Sequence, residues 1–287
     1  RVAAAPPPAS DEAPRLHEVH ARAMEVAESV YKSVLPKIKQ AEKLGMLTLR
    51  ECNLGELPSE ATAATLKKLR MADLSMNTLQ VLPDSIGVWV NMKTLNCSQN
   101  ALGALPAGMG GMAKLQKLDA SSNLMRSLPA QLADLAGLKE LNLSANCLGP
   151  RLPDVFGGGL ARALEELDLS QNHLQELPPS IFGLEKLGRL LLQDNSFEAL
   201  PEGLGALERV HYLNAAKNQL AGVPTAVLEM PTLSELWLQG NPIDRQALQQ
   251  NPALEGLLRR REARINNIIV SKVGPVCIDL RVCGLDG

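Results

Sequence analysis

With 287 residues, 45% of them hydrophobic, the chain is long enough to build one large core or two small ones. Its net charge of −2 and pI near 6.2 argue against general electrostatic attraction to nucleic acid or to an anionic membrane. Aromatic residues make up only 2%, so leucine and alanine must fill the core, and no apolar run approaches the ~18 residues of a spanning helix. The five cysteines (Cys52, Cys97, Cys147, Cys277 and Cys283) are odd in number and scattered, which reads as reduced thiols in a reducing compartment. The expected location is therefore cytoplasmic, or an organelle interior if a targeting segment preceded Arg1.

Residues 1–14, RVAAAPPPASDEAP, are small and Pro/Ala-rich and are expected to be disordered or extended. Residues 15–43 are expected to form a helical cap, with Leu16, Val19, Ala23, Val26, Val30 and Val34 at three- and four-residue spacing. Pro36 should end or kink that helix. Its expected role is to cover the open edge of the element that follows; a docking helix for a partner is the alternative.

From residue 44 to 243 a single frame recurs. Residues 164–178 read LEELDLSQNHLQELP, 115–129 read LQKLDASSNLMRSLP and 92–106 read MKTLNCSQNALGALP. In-phase copies begin at 69, 138, 187, 210 and 233, and a degenerate first copy, LGMLTLRECNLGELP, occupies 44–58. Asn77, Asn100, Asn123, Asn146, Asn172, Asn195, Asn218 and Asn241 hold the ninth position, at intervals of 23, 23, 23, 26, 23, 23 and 23. Cys52 holds it in the first copy.

Each frame predicts a short strand whose apolar residues point inward. The asparagine should satisfy backbone groups of the adjoining turn and form a ladder from copy to copy. The Leu-Pro pair then leads to the outer side. No copy can bury its apolar face alone, so the copies must stack. The three extra residues between Asn146 and Asn172 fall around Gly149-Pro150-Arg151 and Gly157-Gly158-Gly159 and are expected to bulge out as a surface loop.

This pattern resembles the leucine-rich repeat, and the fold it implies is an α/β leucine-rich-repeat solenoid. The expected form is a curved horseshoe of about nine 23-residue repeats, with a parallel concave sheet and helical caps at both ends. The Leu-Pro form with a 23-residue period resembles the intracellular Ras-group repeat proteins. The run Ile38-Lys39-Gln40-Ala41-Glu42-Lys43-Leu44 and the exit Asn241-Pro242-Ile243 are similar to the group around leucine-rich repeat-containing protein 57. That resemblance implies a scaffold or adaptor that binds one or more proteins, a small GTPase or a multisubunit assembly among them.

Residues 244–270 are expected to form a C-terminal helical cap. Its apolar stripe is Ala247, Leu248, Leu254, Leu257, Leu258 and Ile265, with Arg259, Arg260, Arg261 and Arg264 as a basic face opposite and a secondary docking candidate. The tail, 271–287, alternates apolar and polar residues through Val276, Ile278, Leu280 and Val282 and could add a strand to an edge.

On the concave side the third, fifth, seventh and eighth residues of each copy should face outward. Most copies place Asp or Asn at the fifth position and Ser at the seventh. The last three copies depart from this, with Arg189, Leu191, Gln193, His211, Tyr212, Lys217, Glu235 and Trp237, and this patch is the primary candidate for partner binding. The rival reading places Trp237 under the C-terminal helix. A second candidate sets the acidic Glu140, Glu165, Glu166 and Asp168 against Arg50, Arg70, Lys93 and Lys117.

No reacting constellation accompanies the histidines His17, His20, His173 and His211. Gly108-Met109-Gly110-Gly111 lacks the Lys-Ser/Thr of a phosphate loop, and no Cys-x-x-Cys occurs. The chain reads as a non-enzymatic protein-interaction module without cofactor, metal or nucleic acid, and without need of homo-oligomerisation. The alternative is a constitutive or accessory subunit of a large complex.

Overall fold

The asparagine of each copy determines how the next copy is laid down. In the computed structural model, which describes residues 16–272 (side chains for 24–265 apart from Arg245), Asn123 makes four hydrogen bonds. Its Oδ1 accepts the Leu102 N–H of the preceding copy at 3.0 Å. Its Nδ2 donates to the carbonyls of Cys97 at 3.0 Å and of Ala120 and Ser121 at 3.1 Å. Asn77, Asn100, Asn146, Asn172, Asn195 and Asn218 repeat this pattern, so the expected ladder is present. Cys52 can occupy the first rung because the Asn77 oxygen accepts its backbone N–H and there is no earlier copy to bridge.

The ladder holds nine three-residue strands in one parallel sheet in sequence order. They are β1 (Met46–Thr48), β2 (Met71–Asp73), β3 (Thr94–Asn96), β4 (Lys117–Asp119), β5 (Glu140–Asn142), β6 (Glu166–Asp168), β7 (Arg189–Leu191), β8 (Tyr212–Asn214) and β9 (Glu235–Trp237). The middle residue of every strand points into the core, with Leu47, Ala72, Leu95, Leu118, Leu141, Leu167, Leu190, Leu213 and Leu236 all buried. The eighth residue of each copy, from Glu51 and Met76 to Lys217, has φ between 51° and 57°, and Gly240 fills that place in the last copy at 75°. Left-handed backbone costs a non-glycine residue roughly 1–2 kcal/mol, and the ladder bonds on either side hold the turn there.

On the convex side Pro83, Pro106, Pro129, Pro178 and Pro201 each precede a short 3-10 turn, their φ of −69° to −75° launching the outer arc. The arcs sit very close together. A Cβ on Gly108 would lie 1.9 Å from the Asp84 carbonyl oxygen, which explains a glycine in a segment that lacks a phosphate loop's chemistry. The core is not built by leucine and alanine alone. Trp89 is fully buried and donates its indole N–H to the Ala61 carbonyl at 3.0 Å, tying the outer arc of the second copy back to that of the first.

The insertion stays at the surface, with Pro150, Arg151 and Gly158 exposed, and leaves the sheet undisturbed. β5 and β6 keep full register, Glu140 against Glu166, and the extra residues are taken up on the convex side. Leu152, Val155 and Phe156 are buried there, and Phe156 donates its N–H to Ser180 Oγ at 3.1 Å. Gly149, at φ 143°, has no room for a side chain, since a Cβ would stand 2.2 Å from the His173 carbonyl oxygen. Leu152 and Phe156 hold the places that Leu177 and Ile181 hold in the next copy, so the frame resumes its packing directly after Gly149-Pro150-Arg151.

Helix α1 (Leu16–Leu44) runs through Pro36 without ending there, because Val34 and Ile38 are both buried against the solenoid and anchor the chain on each side of an exposed proline ring. Tyr31 donates a hydrogen bond to the Glu60 carboxylate and ties the helix to the first convex turn. After the short α2 (Thr225–Leu228), the far end is closed by α3 (Arg245–Gln250) and α4 (Ala253–Lys272), with Leu248 and Leu257 buried. Asp244 caps α3 by accepting the Gln246 and Ala247 N–H groups. The expectations for residues 1–14 and for a strand in the tail lie outside the described residues.

Replacing Asn123 by Ala strands the Leu102 N–H in the interior and takes one of two donors from each of the Cys97, Ala120 and Ser121 carbonyls. The expected loss is about 2–4 kcal/mol, read as a lower denaturant midpoint.

Candidate functional site

Strand residues three and five of each copy are the ones that face outward, and the parallel register aligns them in two rows. One row reads Arg189, Tyr212, Glu235 across β7, β8 and β9; the other reads Leu191, Asn214, Trp237. Tyr212 and Trp237 therefore stand diagonally, about 8 Å apart along and across the strands rather than side by side. Position seven was expected to face outward as well. It does not, since Ser75, Ser98 and Ser170 are buried, and serine hydroxyls such as that of Ser98 donate to the Asp or Asn two residues earlier. That small-residue pairing commits the usual seventh position to the turn.

In the C-terminal copies the pattern loosens. The Arg189 guanidinium lies 4.3 Å from the centroid of the Tyr212 ring, with its Nε 3.3 Å from Glu166. Gln193 and Gln239 replace the serine, and their buried Oε1 atoms have no hydrogen-bond partner among the described residues. Lys217, exposed on the turn, pairs with Asp194 at 3.4 Å and stands apart from the aromatic pair. Trp237 remains 36% exposed.

The arginines of α4 do not share one face. Arg260 donates to the carbonyls of Leu233, at 3.0 Å, and Leu228, which the last copy would otherwise leave uncovered. One turn later, Arg264 donates to Ser234 Oγ at 2.8 Å and pairs with Glu235 at 3.4 Å. Arg259 points outward and pairs with Glu255. Arg261 lines a cavity of about 190 Å³ with Ser234, Glu235, Trp237, Arg264 and Ile265. Trp237 is thus beside the cap without being covered by it. Sequence reasoning missed Ser234 and Ile265 as lining residues; the recurring second position of each copy was the signal for Ser234.

His211, in the same second position, borders Arg189 and Arg209. Burial pushes its imidazole below the usual histidine range, and the nearby Arg264 and Arg189 add to the effect against an opposing Glu235. The middle copies carry no open acidic field. Glu140 pairs with Lys117 at 2.7 Å, Glu165 with Lys139 at 2.8 Å, and the Asp168 carboxylate accepts the Ser170 N–H. Among the described residues no group of three His, Cys, Asp or Glu is placed to hold a metal ion, and no helix is long and apolar enough to cross a membrane.

A stacked parallel sheet with an asparagine ladder is the leucine-rich-repeat solenoid, and that is the fold of this chain. The family profile described as leucine rich repeat matches residues 162–220. The chain is 37% identical to zebrafish (Danio rerio) keratocan over 30% of its length and 25% of keratocan's. It is 42% identical to mouse (Mus musculus) leucine-rich repeat and WD repeat-containing protein 1 over 28% of its length and 12% of that protein's. Among solved structures it resembles the plant peptide hormone receptor RGFR1 in complex with RGF2, at TM-score 0.60 and 28% identity, covering 70% of this chain and 33% of the receptor. It also resembles the ectodomain of the Arabidopsis thaliana membrane receptor kinase GASSHO1/SCHENGEN3, at TM-score 0.58 and 32% identity, covering 69% and 23%. The matches span a third or less of each of these proteins.

These likenesses overturn the cytoplasmic expectation: the solved neighbours are receptor chains, one of them an ectodomain, and keratocan stands with them. One of the thiols behind that expectation carries no information about compartment. Cys97 is fully buried in a leucine position, where burial raises its pKa to about 12, so it is a packing group in any compartment.

Two outcomes follow from this geometry. Arg260→Ala should uncover the Leu228 and Leu233 carbonyls and cost about 2 kcal/mol, seen as faster amide exchange confined to β9 and α4. His211 holds its proton less tightly folded than unfolded, so its contribution is intact above the unfolded value, about 6.5, and is lost as pH falls through the lower folded value. His211→Gln should therefore flatten the fall in denaturation midpoint between neutral pH and mildly acid pH.

Proposed function

We propose that the chain is a non-enzymatic protein-binding scaffold or adaptor whose principal contact is the C-terminal concave patch. The patch comprises Arg189, Leu191, Gln193, His211, Tyr212, Lys217, Glu235 and Trp237, with Arg261 at its border. The observation that carries this reading is Trp237, a large aromatic held 36% exposed at an outward strand position beside a cavity. Aromatic and arginine side chains supply most of the binding energy at protein interfaces, and here Arg189, Tyr212 and Trp237 are pre-positioned by the sheet. Support also comes from RGFR1, a neighbour solved with its peptide RGF2. A small GTPase, the partner class implied by the Ras-group resemblance, is testable by pull-down in both nucleotide states.

A second reading, a fixed subunit of a large assembly, is favoured by α1. Residues Met24 to Ser29 are exposed throughout, so that part of the helix extends past the copies it caps, and isolated helical segments of this length are marginal in water. Size-exclusion of the native protein separates the two: an adaptor exchanges between free and bound pools, and a subunit elutes only in a large complex.

Partners recovered by native co-purification should lose about 100-fold in affinity for a Tyr212→Ala/Trp237→Ala chain, as two anchors at roughly 1.4 kcal/mol per tenfold imply. Undiminished binding by a folded double variant overturns the assignment of the patch.

A further inference from the structure

The other end of the concave face departs from the repeat in a different way. In copies three to seven the third position is Thr94, Lys117, Glu140, Glu166 and Arg189. In the first two copies it is Met46 and Met71, which are direct register partners on β1 and β2. Met46 is 52% exposed, Met71 41%, and Leu44, where α1 runs into β1, 61%. The two methionines thus stand side by side in solvent at positions that polar residues fill in the copies that follow, and Leu44, two residues before Met46, is exposed as well. Methionine is the side chain best able to repack around different partners.

Backbone hydrogen bonds place a row of charge along one border of this apolar group. Gly45, Arg70, Lys93, Gln116, Lys139 and Glu165 follow one another, each N–H on the carbonyl before it at 2.7–2.9 Å. The first acid on the row is Glu165, which is paired with Lys139. Arg70 and Lys93 are exposed and form no ion pair among the described residues. On β2 itself the carboxylate to weigh against them is Asp73, two residues after Met71. The Asp73 carboxylate already accepts from Ser75. A chain of net charge −2 therefore borders the exposed methionines of its first two strands with two cations, Arg70 and Lys93.

We propose that the concave surface of the first two copies docks an extended segment of a partner protein in which aliphatic side chains are flanked by carboxylates. The aliphatic groups seat on Met46 and Met71, and the carboxylates pair with Arg70 and Lys93. A protein segment fits better than a membrane, because the group lies on the inner face between α1 and the third copy, where a chain enters and a broad flat surface does not. This surface is separate from the Tyr212–Trp237 patch and does not depend on it.

The test pans a displayed library of random peptides of about 12 residues, roughly 40 Å when extended, on the full chain. A folded Met46→Ser/Met71→Ser/Arg70→Glu/Lys93→Glu variant is present as soluble competitor. All four substitutions are at exposed positions; should that variant not fold, Arg70→Glu/Lys93→Glu alone takes its place. The expected result is enrichment of acidic, aliphatic-containing peptides that bind the variant at least about 10-fold more weakly, the equivalent of one lost anchor. Their affinity should fall with added salt and be unchanged by Tyr212→Ala/Trp237→Ala. No enrichment, or enrichment without acidic bias, overturns the proposal, as does equal binding to the variant. Co-flotation of the wild-type chain, and not the variant, with phosphatidylserine vesicles overturns it in favour of a membrane. Loss of peptide binding in the Tyr212→Ala/Trp237→Ala chain instead assigns the peptides to the C-terminal patch and overturns the proposal too.

Discussion

A carboxamide that reaches backward one copy is the constraint on which the rest of this structure depends. A three-residue strand offers too little hydrogen bonding to define a sheet by itself, and the turn that follows it leaves carbonyls and N–H groups facing the interior. The asparagine side chain has both donors and an acceptor, so it satisfies groups of two copies at once, as Asn146 does for Ala120 and Leu143. Because the bridge spans the copy boundary, each turn is fixed only when its neighbour is in place. Stacking and turn formation are then one event, which is how short repeats with no independent core can hold together.

This division of labour frees a small, defined part of each copy. The inward positions carry the core, the ninth carries the ladder, and the seventh, where it is serine, is tied to the fifth. What remains for recognition is mainly the third position and, where it is not bonded to serine, the fifth. The aromatic and arginine residues of the last copies matter for this reason. Leu191 and Trp237 occupy fifth positions with no Asp or Asn to hold a serine, and Gln193 and Gln239 follow them. Loss of the small-residue pairing and gain of a recognition surface are two aspects of the same substitutions.

The repeat was legible in the sequence because its period is enforced by a buried polar group that no other residue type replaces in the interior copies. The parallel sheet, its inward leucines and the helical ends follow from that period. Features that rest on a single contact were not legible. Nothing in the spacing announces that the Trp89 indole will find the Ala61 carbonyl. The four arginines near the C-terminus looked equivalent in a run, yet a helix places residues four apart on one side, and Arg260 and Arg264 are the pair that bonds to the end of the solenoid. The exposed methionines, by contrast, were legible in the frame, which already turns the third position of each copy outward. The candidate site was legible as a departure from pattern, and its geometry was not, since Tyr212 and Trp237 proved diagonal neighbours.

The two ends of the concave face differ in how they meet solvent, and the caps explain why. At the C-terminal end α4 brings guanidinium groups to the edge of β9, so Trp237 is bordered by charge that is already engaged with Ser234 and Glu235. At the N-terminal end α1 delivers Val34, Ile38 and Ala41 to the core but leaves Leu44 and the methionines of β1 and β2 uncovered. Between them, paired charges such as Lys117–Glu140 and Arg189–Glu166 keep the middle copies well hydrated and weakly adhesive, since exposed ion pairs contribute little net energy. A partner therefore gains least in the centre of the curve and most where a cap meets the sheet. Recognition at the junctions of repeat and cap, rather than along the whole inner face, is what this distribution of apolar and charged groups favours.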